Sequence, residues 1–288
     1  MNNEWEEAHK ERDAIVRRLE ASIYVLYLMM FVTASKELSR RNNNMSKLQL
    51  NKFKRDIIKE HDSLLRNVEI EISKASFKLN KLAIATTINL ILSYYKGDKS
   101  RLKEKLDNLY LKDVEKATQK VLKGLIYDDK LSMRERMRKY SNKFKIDIDT
   151  IIRRGIRNGS SSYEIAKQIE KYIDPKNKKP WDWSKVYPGS QKVIDYNAQR
   201  LARTTVNHVW QEAVKESCRQ NPLVTKIEWR SALIHGRTCQ QCRDRHGNQY
   251  LIDDLPMDHP MGLCTMLPVV DMSYKEIAEK LNEMYGYD

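Results

Sequence analysis

Three of the chain's four cysteines and two of its six histidines fall in the stretch "RTCQQCRDRHGNQYLIDDLPMDHPMGLC". The spacing is Cys239-x2-Cys242, an interval of sixteen residues, then His259-x4-Cys264. Two close pairs at such a separation are the ligand arrangement of a structural zinc site. A Cys-x2-Cys turn can bring two thiolates onto one ion, and Pro260 and Gly262 can fold the chain back to present Cys264. Four soft or borderline ligands close a tetrahedron and leave no position for water, which favours a stabilising role over catalysis. Few large apolar residues lie between Leu233 and Pro268, so a metal crosslink would compensate for a thin core there. The alternatives are ordinary thiols beside a surface histidine, or a redox Cys-x-x-Cys. Cys218 lies outside the pattern and reads as a plain buried cysteine.

Catalytic patterns fit less well. No H-x-E accompanies the cysteines, and Thr238 stands where a zinc deaminase has proline. H-E-x-x-H is absent. The Asp258-His259 pair resembles the core of a His-metal nuclease, but no histidine follows Cys264 and the only later asparagine is Asn282.

The elements that would position these ligands can be read in outline. A long helix is predicted over about Gln191 to Arg219, stopped by Asn221-Pro222. Val224 to Leu233 alternates as a strand, with Thr225, Ile227 and Trp229 on the buried face. His246-Gly247-Asn248 reads as a hairpin-like turn before a short strand at Gln249 to Ile252. An amphipathic helix over Ser273 to Tyr285 closes the chain.

Upstream the pattern is helical. Glu4 to Arg40 has no Gly or Pro, and its run "ASIYVLYLMMFVTA" predicts a helix buried on most faces, too short to span a bilayer. After the polar break Arg40 to Lys47, helices are predicted from Leu48 to about Lys96, closed by Gly97. Ser100 is the expected cap of the next, and helices continue to about Tyr140. Ile148 to Ile173 reads as helix, Gly-Ser turn, helix, with Ser161 and Glu164 at capping-box spacing. A plain corner is favoured there over a DNA-reading helix-turn-helix, because Lys167, Gln168 and Lys171 are mixed with Glu164 and Glu170. Asp174 to Ser190, with three prolines and Trp181 and Trp183, reads as a linker or docking loop.

The net charge of +14 is unevenly placed. From Trp181 onward 13 basic residues meet 14 acidic ones, which leaves 40 against 25, a balance of +15, in the first 180 residues. Such a field attracts polyanions, nucleic acid first among them, although lysine-rich helices also serve solubility alone. The first 20 residues mix charges and lack the apolar core of a secretory signal. Four cysteines in 288 residues suggest no disulfide framework, hence folding in a reducing compartment.

Taken in order, "LARTTVNHVWQEAVKE", "IEWRSALIHGRTCQQCRDRHGNQY" and "HPMGLCTMLPV" resemble the C-terminal domain of phage minor head proteins, the Mu F-like head morphogenesis family. Arg203 and Thr204 match its helix motif. Trp229, Arg237, Thr238, Cys239, Cys242, Gly247 and Tyr250 match the middle, and His259, Pro260 and Cys264 the end. The chain departs from the pattern at Thr205 and His235, where the family has acids, and at Gly262 and Leu263, where it has Cys and Arg. The resemblance implies a virion component that associates with portal, capsid or scaffold proteins and assists head assembly, DNA packaging or DNA delivery.

The combined expectation is a mainly α protein: a basic helical region over 1–145, then a small α+β domain over 146–288 with a short antiparallel sheet and a zinc-knuckle-like corner. Structural zinc would be held by Cys239, Cys242, His259 and Cys264. The expected role is non-enzymatic, inside the capsid or at the portal vertex of a virion assembled in the host cytoplasm. Partners would be portal, capsid or scaffold proteins and non-specific double-stranded DNA, with no membrane and no small-molecule substrate. The other readings are a zinc-stabilised nuclease or toxin-type enzyme, and a helix-turn-helix DNA-binding protein.

Overall fold

A computed structural model of the full chain describes residues 2–41, 43–175, 196–234 and 238–286. Most of the expected Asp174–Ser190 loop, with Trp181 and Trp183, lies outside the described residues, as do His235 and Arg237. The elements run α1 Asn2–Ser39, α2 Lys47–Tyr94, α3 Lys99–Leu122, α4 Met133–Arg157, α5 Ser162–Ile173, α6 Tyr196–Gln220, β1 Lys226–Arg230, α7 Gln240–Arg245, β2 Gln249–Leu251, β3 Thr265–Val269 and α8 Tyr274–Tyr285. The fold is mainly helical with one small sheet, as expected. Among the described residues no helix is long and apolar enough to cross a membrane.

Several boundaries differ from the sequence reading. α2 is one helix of 48 residues. It contains no Gly or Pro, so the shift in apolar pattern along it rotates the buried face without breaking the backbone. It ends at Tyr94, before Gly97. The cap of α3 is Asp98, whose carboxylate accepts the Ser100 and Arg101 amides at 2.9 and 3.1 Å; Ser100 is itself helical. α1 buries one stripe, Ile23, Tyr27, Met30, Ala34 and Leu38, and leaves Val25 and Met29 at least half exposed. The apolar run therefore serves one face at helical spacing. The Ser161 capping box forms as expected, with Ser161 N donating to Glu164 Oε2 at 2.6 Å.

The chain divides into two compact units, each drawing on both sides of position 145/146. One comprises Arg18–Ser73 and Ser132–Ala202. Its core is built from Leu64, Val68 and Ile72 of α2, Phe144 and Ile148 of α4, and Ile165, Ile169 and Ile173 of α5. Gly155 lets α4 approach α5, since a Cβ there would lie 2.4 Å from Ile165 Cγ1. On α5 Lys167 is engaged by Glu170 at 2.8 Å, which suits a plain corner.

His61 is buried in this unit and stacks on Phe144 with ring centroids 3.8 Å apart. Burial lowers its pKa to about 4, although Asp62 pulls the other way. Because the folded pKa lies below the unfolded one, acid protonates the unfolded chain first. The stability is whole above pH 6.5 and drains from there toward pH 4, at about 1.4 kcal/mol per pH unit. Urea melts should therefore show His61→Phe losing about 2 kcal/mol less than wild type between pH 7 and pH 5.

The other unit comprises Met1–Arg17, Lys74–Leu131 and Arg203–Asp288. It holds the antiparallel sheet, order β2-β1-β3, with Ile227 opposite Tyr250 on one side and Pro268 on the other. Ile227 and Trp229 of β1 and Met266 of β3 face the core, where Trp210 of α6 and Trp5 of α1 are also buried. The expected hairpin turn is instead the link between α7 and β2, with Gly247 at φ 81°. β1 and β2 pair across this inserted helix: Gly247 N donates to Trp229 O at 2.8 Å and Trp229 N to Asn248 O at 2.9 Å.

Candidate metal centre

Cys239 caps α7, a helix the sequence reading missed. Its Sγ accepts the Cys242 amide at 3.4 Å, so the Cys-x2-Cys spacing serves as the first turn of a helix. Cys242 is buried and central. Its Sγ lies 3.1 Å from His259 Nε2 and 3.3 Å from Cys264 Sγ. The side chains of Cys239, Cys242 and His259 form one group whose ligand atoms all lie within 4.8 Å, and Cys242, Cys264 and Asp258 form a second. Cys242 belongs to both groups, whereas Cys264 is not grouped with Cys239 and His259.

The tautomer of His259 suits a metal. Its Nδ1 lies 2.9 Å from the Pro260 carbonyl, which can only accept, so Nδ1 donates there and Nε2 is the nitrogen turned toward the sulfurs. Burial first, then Cys264, raise the Cys242 pKa far above the ordinary thiol value. Burial and the Asp258 carboxylate push that of Cys264 up to about 11. Thiols crowded in this way ionise together only beside a cation. In a zinc tetrahedron with bonds of about 2.3 Å the sulfurs stand about 3.8 Å apart, so the Cys242–Cys264 pair needs to open only slightly. The donor set thus fits a closed zinc site.

The loop that presents His259 and Cys264 is held by groups to which the sequence alone assigned no part in holding it. Asp258 is buried and accepts three N–H groups: His259 N at 2.9 Å, Cys264 N at 3.1 Å and Asn207 Nδ2 at 3.0 Å. With its lone pairs so occupied, it organises the loop and is a poor fourth ligand. α6 lays a polar stripe along the same loop. Thr204 Oγ1 accepts Met261 N at 3.1 Å, and His208 Nε2 donates to Asp258 O at 3.0 Å. Gln211 donates to Pro256 O at 2.6 Å and accepts Asp258 N at 3.0 Å. Tyr127 hydroxyl lies 3.0 Å from His208 Nδ1 on the ring's other side. Positions 204, 207, 208 and 211 share one helical face, so a polar stripe at helical spacing was the available signal.

Arg12 of α1 gave no signal. It is 1% exposed, and its Nη1 and Nη2 donate to the carbonyls of Cys264 and Leu263 at 2.9 and 3.0 Å. On the far side of the corner, Arg245 lies over the Trp229 ring at 4.9 Å and donates to Met257 O at 3.1 Å.

Gly262 has its own reason. A Cβ there would sit 2.3 Å from both Asp258 carboxylate oxygens. Gly262→Ala should push Asp258 off its three amide donors and cost about 1–3 kcal/mol by thermal unfolding.

Fold and site together define a helical protein whose small antiparallel sheet carries a Cys/His corner held by a buried polar network. Residues 146–265 match the family model of Phage Mu protein F like protein. This segment, from the second half of α4 to the first residue of β3, is similar to that family, and it contains all four expected ligands. No curated protein and no solved structure matches the chain.

Proposed function

We propose that the protein is a structural component of a phage head, a minor head protein that assists head morphogenesis. The family match over residues 146–265 carries the reading. In this role Cys239, Cys242, His259 and Cys264 hold one zinc ion that crosslinks α7 to the loop before β3. The ion supplies no chemistry beyond that crosslink. The chain's own residues do the rest: Asp258, Asn207 and Gln211 orient the loop, and Arg12 fixes the carbonyls of Leu263 and Cys264.

A structural role suits the site better than a nuclease. Asp258 is occupied by amide donors and His259 Nε2 faces sulfur, so neither is placed to activate a water. The basic region over 1–145 meets portal, capsid or scaffold proteins and contacts DNA without sequence preference, and the domain over 146–288, clamped by Arg12 from that region, provides the stapled scaffold. Expression of the full chain with the portal and capsid proteins of its phage tests this. Co-purification with a portal ring or with assembled particles is expected. A chain that stays apart from both, yet cuts plasmid DNA in the presence of divalent metal, would overturn it.

A further inference from the structure

α2 and α4 enclose an open groove of about 540 Å³, lined by Asp62, Leu65, Arg66 and Glu69 from α2 and by Arg134, Met137, Arg138, Ser141, Asn142 and Lys145 from α4. Leu65 and Met137 are buried and form an apolar floor. The walls carry four cations and two carboxylates. Both carboxylates are already engaged. Glu69 takes Arg134 at 2.8 and 3.1 Å, and Asp62 takes Lys145 at 3.0 Å together with the Ser141 hydroxyl. Although burial works against ionisation of Asp62, the Ser141 and Lys145 bonds hold its pKa below the ordinary carboxylate value, so these pairs stay formed at neutral pH.

That leaves Arg66 and Arg138, on opposite walls and exposed, with no carboxylate bound to either among the described residues. Glu135, one turn back on α4, is tied to Ser132 by its capping box. The wider field has the same sign: α4 carries nine basic residues against three acidic ones. Two guanidiniums with no carboxylate bound to them, facing one concavity, are a receptor for an oxyanion, since each offers a planar fork of donors. Arg134, Arg138, Asn142 and Lys145 continue the donors along one face of α4 for about 16 Å at 1.5 Å per residue. A single anion fills a small part of such a row, whereas a chain of phosphates fills it.

We propose that the α2–α4 groove binds the phosphodiester backbone of nucleic acid, with Arg66 and Arg138 receiving a phosphate between them. The site gives the DNA contact proposed above a location, and it fails separately from the head assignment, which particle association judges. The test uses the full chain, a fluorescein-labelled 20-bp duplex of mixed sequence, and binding measured across a salt series. Arg66→Gln/Arg138→Gln should weaken binding at about 0.1 M salt by tenfold or more and lower the log–log salt slope by about two. The melting curve should not change, because both side chains are exposed and unpaired. Lys105→Gln/Lys112→Gln, which removes the same charge from exposed positions on α3, serves as control. Equal losses in the two double variants, or no loss in the groove variant, overturn the proposal. So does a groove-dependent rise in melting temperature with inorganic phosphate without duplex binding, which would assign the groove to a free anion.

Discussion

Cys242→Ser should unfold the metal corner and lower the stability of its unit by about 3–4 kcal/mol. Cys242 belongs to both ligand groups, and its Sγ stands 3.1 Å from His259 Nε2 and 3.3 Å from Cys264 Sγ. Structural zinc contributes up to about 10–16 kcal/mol of apparent folding energy in small metal domains; a corner within a larger unit loses less when the ion is gone, because the rest of the unit stays folded. The loss is large because α7 and the loop over 252–264 bury little of their own; from Gln240 through Cys264 only Cys242, Leu255, Asp258, Gly262 and Cys264 are buried. Melting of the purified variant, with and without added zinc, provides the readout. Wild type should lose a comparable amount in excess chelator, and chelator should leave the variant unchanged. Cys218→Ser separates thiol loss from metal loss: it is buried alone in α6 and should not alter the response to chelator.

Arg12→Ala is expected to cost about 3–5 kcal/mol although it lies far from the ligands in sequence. Its guanidinium is the donor at the buried carbonyl of Cys264 and the half-buried carbonyl of Leu263, and truncation takes that partner from both. Each orphaned carbonyl costs about 1–3 kcal/mol, and the side chain's volume is lost as well. Asp13, which Arg12 Nη2 meets at 2.8 Å, loses its partner but is partly exposed, so it adds little. Arg12→Lys should recover part of the loss, since an ammonium can reach one carbonyl but cannot span two. The same variant should release zinc faster to a chromogenic chelator, because the Cys264 backbone is no longer fixed. Equal stability of Arg12→Ala and wild type in equilibrium unfolding would mean that this clamp is not formed in solution.

The Cys/His cluster was legible because thiols and imidazoles at short spacing have few other purposes. The Ser161 capping box and the alternation of Ile227 and Trp229 could be read for the same reason. Asp258 and Arg12 could not. An aspartate before His259 looks like a surface acid until the loop closes and three amides turn toward it. Arg12 sits in a helix full of charge, and only the long-range contact to Cys264 sets it apart. Gly262 breaks the motif on paper, yet the position must be empty for Asp258 to reach its donors. α7 was hidden because six residues opened by a cysteine carry too little periodicity to announce a helix.

The metal content of the full chain, purified without chelator, tests the central claim most directly. One zinc per chain is expected in wild type and none in Cys242→Ser, with zinc–sulfur bonds of about 2.3 Å by X-ray absorption from three sulfur and one nitrogen ligand. Metal-free wild-type protein that melts at the same temperature before and after addition of zinc would contradict it.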